Sequence, residues 1–153
     1  MAKVATFPGT SIQPVRHIMV GVEPTDTTQL GLQLAVARAL TEHATLTLAM
    51  VMEPYDVSVY VRMNTQLLDR ARTGMRHRLH TYARLARKAG VTTVTTFFAE
   101  GMPGDVLVNE AIPQVKPDLL IVGAETKVGA HRHFGSQVAY VVRYAPCTVT
   151  VAR

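Results

Sequence analysis

Five short apolar runs, separated by longer stretches with helical spacing, constrain this chain more than any other feature. "RHIMVGVE" (Arg16 to Glu23), "ATLTLAMVME", "VTTVTTFFAE", "PDLLIVG" and "CTVTVAR" (Cys147 to Arg153) are compact and rich in Val, Ile, Leu and Thr. Runs of this length and composition read as buried strands. "PDLLIVG" is almost wholly apolar, as a central parallel strand must be when helices cover both its faces. Strand-helix alternation predicts an α/β fold: a single doubly wound five-stranded parallel sheet, with helices on both faces. At 153 residues, 48% of them apolar, the chain buries roughly two-thirds of its unfolded surface without disulfides. No repeat and no low-complexity linker divides it, so residues 15–153 read as one domain and residues 1–14 as a flexible tail.

The connecting segments carry their own signals. In "PTDTTQLGLQLAVARALTEH", Thr25 or Asp26 can cap a helix whose apolar set includes Leu30, Leu34, Ala37 and Leu40. "PYDVSVYVRMN" is ambiguous. Val57, Val59 and Val61 alternate like a strand, while Pro54 and Asp56 argue for a loop with at most a short element. The next helix ends at Gly90, after Lys88. "GMPGDVLVNEAIPQV" starts a helix near Gly104 or Asp105 that falters by Pro113, and "GSQVAYVVRYAP" is a short helix closed by Pro146.

Much of the positive charge, +5 net, lies in "DRARTGMRHRLHTYARLARKAG". Leu68, Ala71, Met75, Leu79, Tyr82 and Ala86 recur there at helical spacing and form a buried stripe. Arg70, Arg72, Arg76, Arg78, Arg84, Arg87 and Lys88 fall mostly off it, as on a solvated helix face. No aromatic residue off that stripe interleaves the cations for base stacking, which argues against single-strand nucleic-acid binding. No apolar run approaches the roughly 20 residues that span a bilayer, and the N-terminus lacks a signal-peptide pattern. The lone cysteine, Cys147, fits a reducing cytoplasm.

Ligands of doubly wound sheets bind beyond the carboxyl ends of the strands, where the winding reverses. Two segments leave strands there with unusual chemistry: "GVEPT" and "VGAETKVGAHRHFGS" (Val122 to Ser136). A strand order of 3-2-1-4-5 brings both to one crevice. The second segment spaces three glycines, Gly123, Gly129 and Gly135, and ends at a helix expected to start at Ser136. Free amides and the positive dipole end of that helix suit an anion, and His131, Arg132 and His133 add positive charge nearby.

"HIMVGVEPT", "GMPGDVLVNEA", "PDLLIVG" and "GSQVAYVVRYAPCTVTVAR" stand in the order and spacing of the universal stress proteins, which the chain resembles from Arg16 to Arg153. The resemblance implies the order 3-2-1-4-5 and, in the nucleotide-binding branch, a Gly-x2-Gly-x9-Gly-[Ser/Thr] loop. Gly123 opens that motif here and Gly135 and Ser136 close it, with Gln137 following and Gly129 matching a further family glycine. Thr126 replaces the second glycine, and only eight residues, Lys127 to Phe134, separate it from Gly135. Thr126 adds a Cβ where close approach favours glycine. On the adenosine side the resemblance implies Val22, Glu23 and Val51, with Glu23 standing for the usual aspartate. The expected ligand is ATP or ADP, with or without magnesium. The implied role is a regulatory or interaction module in stress response; the alternatives are a ligand-free dimeric scaffold and a slow nucleotide hydrolase.

Catalytic chemistry finds little support. Cys147, on the apolar face with Val149 and Val151, should have a raised thiol pKa. Ser136 has no recognisable base and orienter. No Walker lysine follows Gly135. His131 and His133 have only Glu125 nearby as a third ligand, so no metal site is assigned. The last strand has no internal proline and no charge before Arg153. As a sheet edge it should pair antiparallel with its copy in a homodimer, which the family resemblance also implies; the alternative is an edge covered by the tail, Met1 to Pro14.

Overall fold

A computed structural model describes residues 13–24, 29–124 and 133–153, the side chains at 133 and 134 excepted. Five strands form one parallel sheet: β1 (His17–Gly21), β2 (Thr45–Met52), β3 (Val94–Glu100), β4 (Leu119–Gly123) and β5 (Thr148–Ala152). Their order is β3-β2-β1-β4-β5, with every neighbouring pair parallel, as expected. Winding reverses between β1 and β4.

Side chains alternate along each strand, so the sheet has two apolar faces. Ile18, Val20, Leu46, Leu48, Leu119 and Ile121 pack under α1 (Leu30–Glu42) and α3 (Thr65–Lys88). Met19, Ala49, Phe97 and Leu120 pack under a continuous helical segment and under α6 (His133–Tyr144). That segment comprises α4 (Pro103–Val106), a π-helical turn (Leu107–Ala111) and α5 (Ile112–Val115). A short α2 (Val59–Arg62) precedes α3 and buries none of its residues.

Several local expectations are corrected. Thr25 and Asp26, the expected caps of α1, lie outside the described residues; the helix starts at Leu30, behind Gln29 in the left-handed region (φ 46°). Its face toward the sheet is Gly31, Leu32, Ala35 and Ala39, whereas Leu30, Ala37 and Leu40 are exposed and Leu34 is half-buried. Small residues let α1 lie close: a Cβ on Gly31 would sit 3.4 Å from the Gly123 amide nitrogen. The helix after β3 starts at Pro103 and passes Pro113. Proline removes an N–H and crowds the carbonyl four residues back. The wider turn just before it, where Ile112 N–H reaches Leu107 O, relieves that register. The segment 54–64 resolves into a loop and α2, capped by Ser58, so the valine alternation is not a strand.

The stripe on α3 is as expected: Leu79 and Ala86 are buried, and Leu68, Ala71, Met75 and Tyr82 are half-buried. Asn64 caps the helix through Leu67 N–H (3.1 Å). Gly90 follows its last turn at φ 114°, a conformation that glycine adopts without a Cβ penalty.

Candidate nucleotide crevice

The carboxyl ends of β1 and β4 lie side by side at the middle of the sheet. Val22 continues β1, donating its N–H to Ala49 O (2.8 Å), and its side chain is buried in the α1/α3 core. Val51 is buried on the opposite face and pairs with Ala99. Each therefore offers backbone, not side chain, to a ligand. Glu23 stands at the exit of β1, half-buried.

Two residues of α3 and Gln29, just before α1, brace this exit. Gln29 Nε2 donates to Glu23 O (2.7 Å) and to Tyr82 Oη (3.2 Å). The Arg78 guanidinium donates to Pro24 O. Arg78 is exposed, as expected of the cationic face, and still reaches this exit. The signal for its role was there: Arg78 and Tyr82 are one turn apart, so a segment crossing that flank meets both.

On the other side of the crevice, Gly123 ends β4, paired with Ala152. Among the described residues nothing lies within 4 Å of where its Cβ would be. Gly31, missed by the sequence reading, brings the first turn of α1 against it; a glycine opening an otherwise helical stretch was the available clue. Thr126 and Gly129 lie outside the described residues, as do Glu125, His131 and Arg132.

Gly135 and Ser136 are exposed in the first turn of α6. The helix begins at His133, three residues before the expected start. The amides lacking an intrahelical acceptor are then those up to Gly135, with Ser136 and Gln137 just after them. The Gln137 side chain faces the neighbouring helix: its Oε1 accepts the Gly104 N–H at 2.7 Å. The N-termini of α4 and α6 are thereby tied together at the crevice end of the sheet.

A second cleft, about 200 Å³, opens at the ends of β2 and β3, with Met52, Val57 and Leu68 on its walls and Arg62 and Glu100 among its charged groups. Among the described residues no three His, Cys, Asp or Glu side chains converge on a metal position. No described helix is long and apolar enough to cross a membrane. Cys147 is half-buried, and burial pushes its thiol pKa up, as its apolar face predicts.

The geometry is shared with known proteins. The model of the universal stress protein family matches residues 14–153. A universal stress protein of Staphylococcus haemolyticus is 27% identical over 139 residues, covering 90% of this chain and 84% of that one. The solved structure of UspA, a universal stress protein from Lactobacillus plantarum, superposes with a TM-score of 0.76 at 26% identity, over 93% of this chain and all of that one. A universal stress protein solved in complex with cAMP superposes at 0.65 with 25% identity, over 92% and 98% of the two chains. One from Archaeoglobus fulgidus, in complex with dAMP, shares the fold at 0.62 and 16% identity, over 92% of this chain and 100% of that one. The chain belongs to the universal stress protein family.

Proposed function

We propose that this chain binds an adenine nucleotide, ATP or ADP, between the carboxyl ends of β1 and β4, and that occupancy changes the surface it presents to partners in a stress response. The observation that carries this reading is the space left over Gly123 by the described residues, at the reversal point of the winding and at the strand end from which the chain runs on to α6. A Cβ there would project into that space, where the reading places the ligand. Glu23 O is held by Gln29, so the backbone beside the space is preorganised. The relative solved with cAMP supports an adenine ligand. The residues that would hold it are Val22, Glu23 and Val51 on the adenosine side and Gly123, Thr126, Gly129, Gly135 and Ser136 on the phosphate side. Gln137 then acts through Gly104, by seating α6. Magnesium, when present, would neutralise phosphate charge. Binding and signalling, not turnover, are the proposed activity.

A ligand that binds only the native state stabilises by about 2.7 kcal/mol at a hundredfold excess over its Kd. ATP or ADP at millimolar concentration should therefore raise Tm, with or without magnesium. Gly123→Val should keep the ligand-free Tm and lose the shift. No shift in the wild type under any of these conditions refutes the reading.

A further inference from the structure

The two edges of the sheet are not equivalent. In a parallel ladder each residue turns its N–H and C=O to one side, and successive residues alternate. Thr93 O accepts from Leu46 of β2, and Met52 O accepts from Gly101. Odd-numbered residues of β3 therefore face β2. Val94, Thr96, Phe98 and Glu100 turn their backbone groups to the side away from β2, where a further strand would add.

Three of those four residues are engaged by arginines from one flank of α3. Arg87 Nη2 donates to Val94 O at 2.7 Å, taking an outward carbonyl directly. The Arg76 guanidinium lies 4.5 Å from the centroid of the Phe98 ring. Arg72 grips the Glu100 carboxylate with Nε and Nη2, and Asp69 holds its Nη1 at 3.1 Å. The hydrogen bond to Glu100 also raises the Arg72 pKa, so the charge is permanent. Arg72, Arg76 and Arg87 share a helical flank because their spacings, four and eleven, are close to whole numbers of turns. Among the described residues β5 has no such row. Its residues before Arg153 carry no charge.

We propose that Arg72, Arg76 and Arg87 bar the β3 edge to strand addition by a second copy of this chain, so that self-association can use only the β5 edge and stops at a closed pair. A strand approaching β3 would have to displace the Arg87 bond and bring its own N–H and C=O groups past three guanidinium groups. Charge and side-chain cover are recognised means of closing an edge. An open β3 together with a paired β5 would give each molecule two joining surfaces and allow extended growth.

The test compares Arg72→Gln/Arg76→Gln/Arg87→Gln with a control, Arg70→Gln/Arg84→Gln/Lys88→Gln, which removes equal charge from the exposed side of the same helix. Sedimentation velocity on folded protein, with folding checked by far-UV circular dichroism, reads the result. The first variant should show species at least twice the wild-type mass, rising with concentration, while the control keeps the wild-type size. A folded first variant of wild-type size overturns the proposal, and so does equal growth of the control. Should the triple variant fail to fold, Arg87→Gln alone removes the direct edge bond and is read the same way, growth supporting the proposal and its absence overturning it. The outcome does not depend on pairing at β5. If the wild type is a pair, growth goes beyond it; if it is a monomer, the variant pairs through β3.

Discussion

Asp118 and His17 meet at the amino end of the sheet, away from the crevice, and they set how the fold responds to acid. Asp118 Oδ2 accepts the amides of Arg16 and His17, both at 2.8 Å, joining the start of β1 to the start of β4. Those bonds hold its pKa below the ordinary 3.8. His17 Nε2 meets Thr47 Oγ1, which meets Thr95 Oγ1, each at 2.7 Å. Burial lowers the His17 pKa below the ordinary 6.5, and the Asp118 charge only partly offsets it. In both cases the folded state binds the proton more weakly than the unfolded chain. Stability from His17 is complete above pH 6.5 and is lost as pH falls through its folded value. The contribution of Asp118 is complete above pH 3.8 and is lost at still lower pH. Urea unfolding at pH 7.5 and pH 5.0 should show a drop that His17→Gln reduces. An unchanged drop in that variant removes His17 from the account. None of this was legible in the sequence, because the partners Thr47 and Asp118 are 30 and 101 residues away.

At the scale of elements, the strands were legible and the helix starts were not. Buried strands announce themselves by unbroken apolar composition, and all five lie within the runs that predicted them. A helix start depends on which residue escapes the helical register, and that is decided by tertiary contact. Gln29 ends up in the left-handed region because its side chain reaches Glu23 and Tyr82, so α1 starts behind a residue whose side chain makes no capping bond. The expectation of a helix start near Gly104 came without the reasons for the glycines of "GMPG". Gly101 sits at φ 142°, and a Cβ there would meet Val106 Cγ2 at 2.9 Å. Gly104 has another reason: a Cβ would meet Gln137 Oε1 at 2.9 Å, Gln137 O at 3.1 Å and Tyr140 Cβ at 3.2 Å. The α4 and α6 backbones are therefore seated together by the absence of one carbon. Gly104→Ala should cost about 1–3 kcal/mol through overpacking, less any gain in helix propensity. Thermal unfolding checks this, and a variant as stable as wild type would show that α6 yields freely. Of the candidate site, its place in the fold and the glycine at its floor were legible. The one-turn spacing of Arg78 and Tyr82 was also there to be read, but their meeting with Gln29, from a segment some fifty residues away, was not.

For the whole molecule, the β5 edge is where assembly should be decided. Ala124 donates to Ala152 O, so Ala152, Thr150 and Thr148 face β4 and Val149 and Val151 turn their amides outward. We infer a two-fold antiparallel pair of β5 strands that satisfies those outward groups. Val149→Pro deletes one outward donor and leaves the β4 ladder intact, so the variant should fold and shift toward monomer in sedimentation at micromolar concentration. A wild type that is monomeric at high micromolar concentration refutes the pairing. The 24-residue α3 has a larger part in this arrangement than its cations suggested. One flank holds the outer strand through Arg72, Arg76 and Arg87, and the other holds the exit of β1 through Arg78 and Tyr82. A rod gripped along both sides cannot roll about its axis without slackening one grip as it tightens the other. The exit of β1 and the far rim of the sheet are thus fastened to opposite flanks of a single helix.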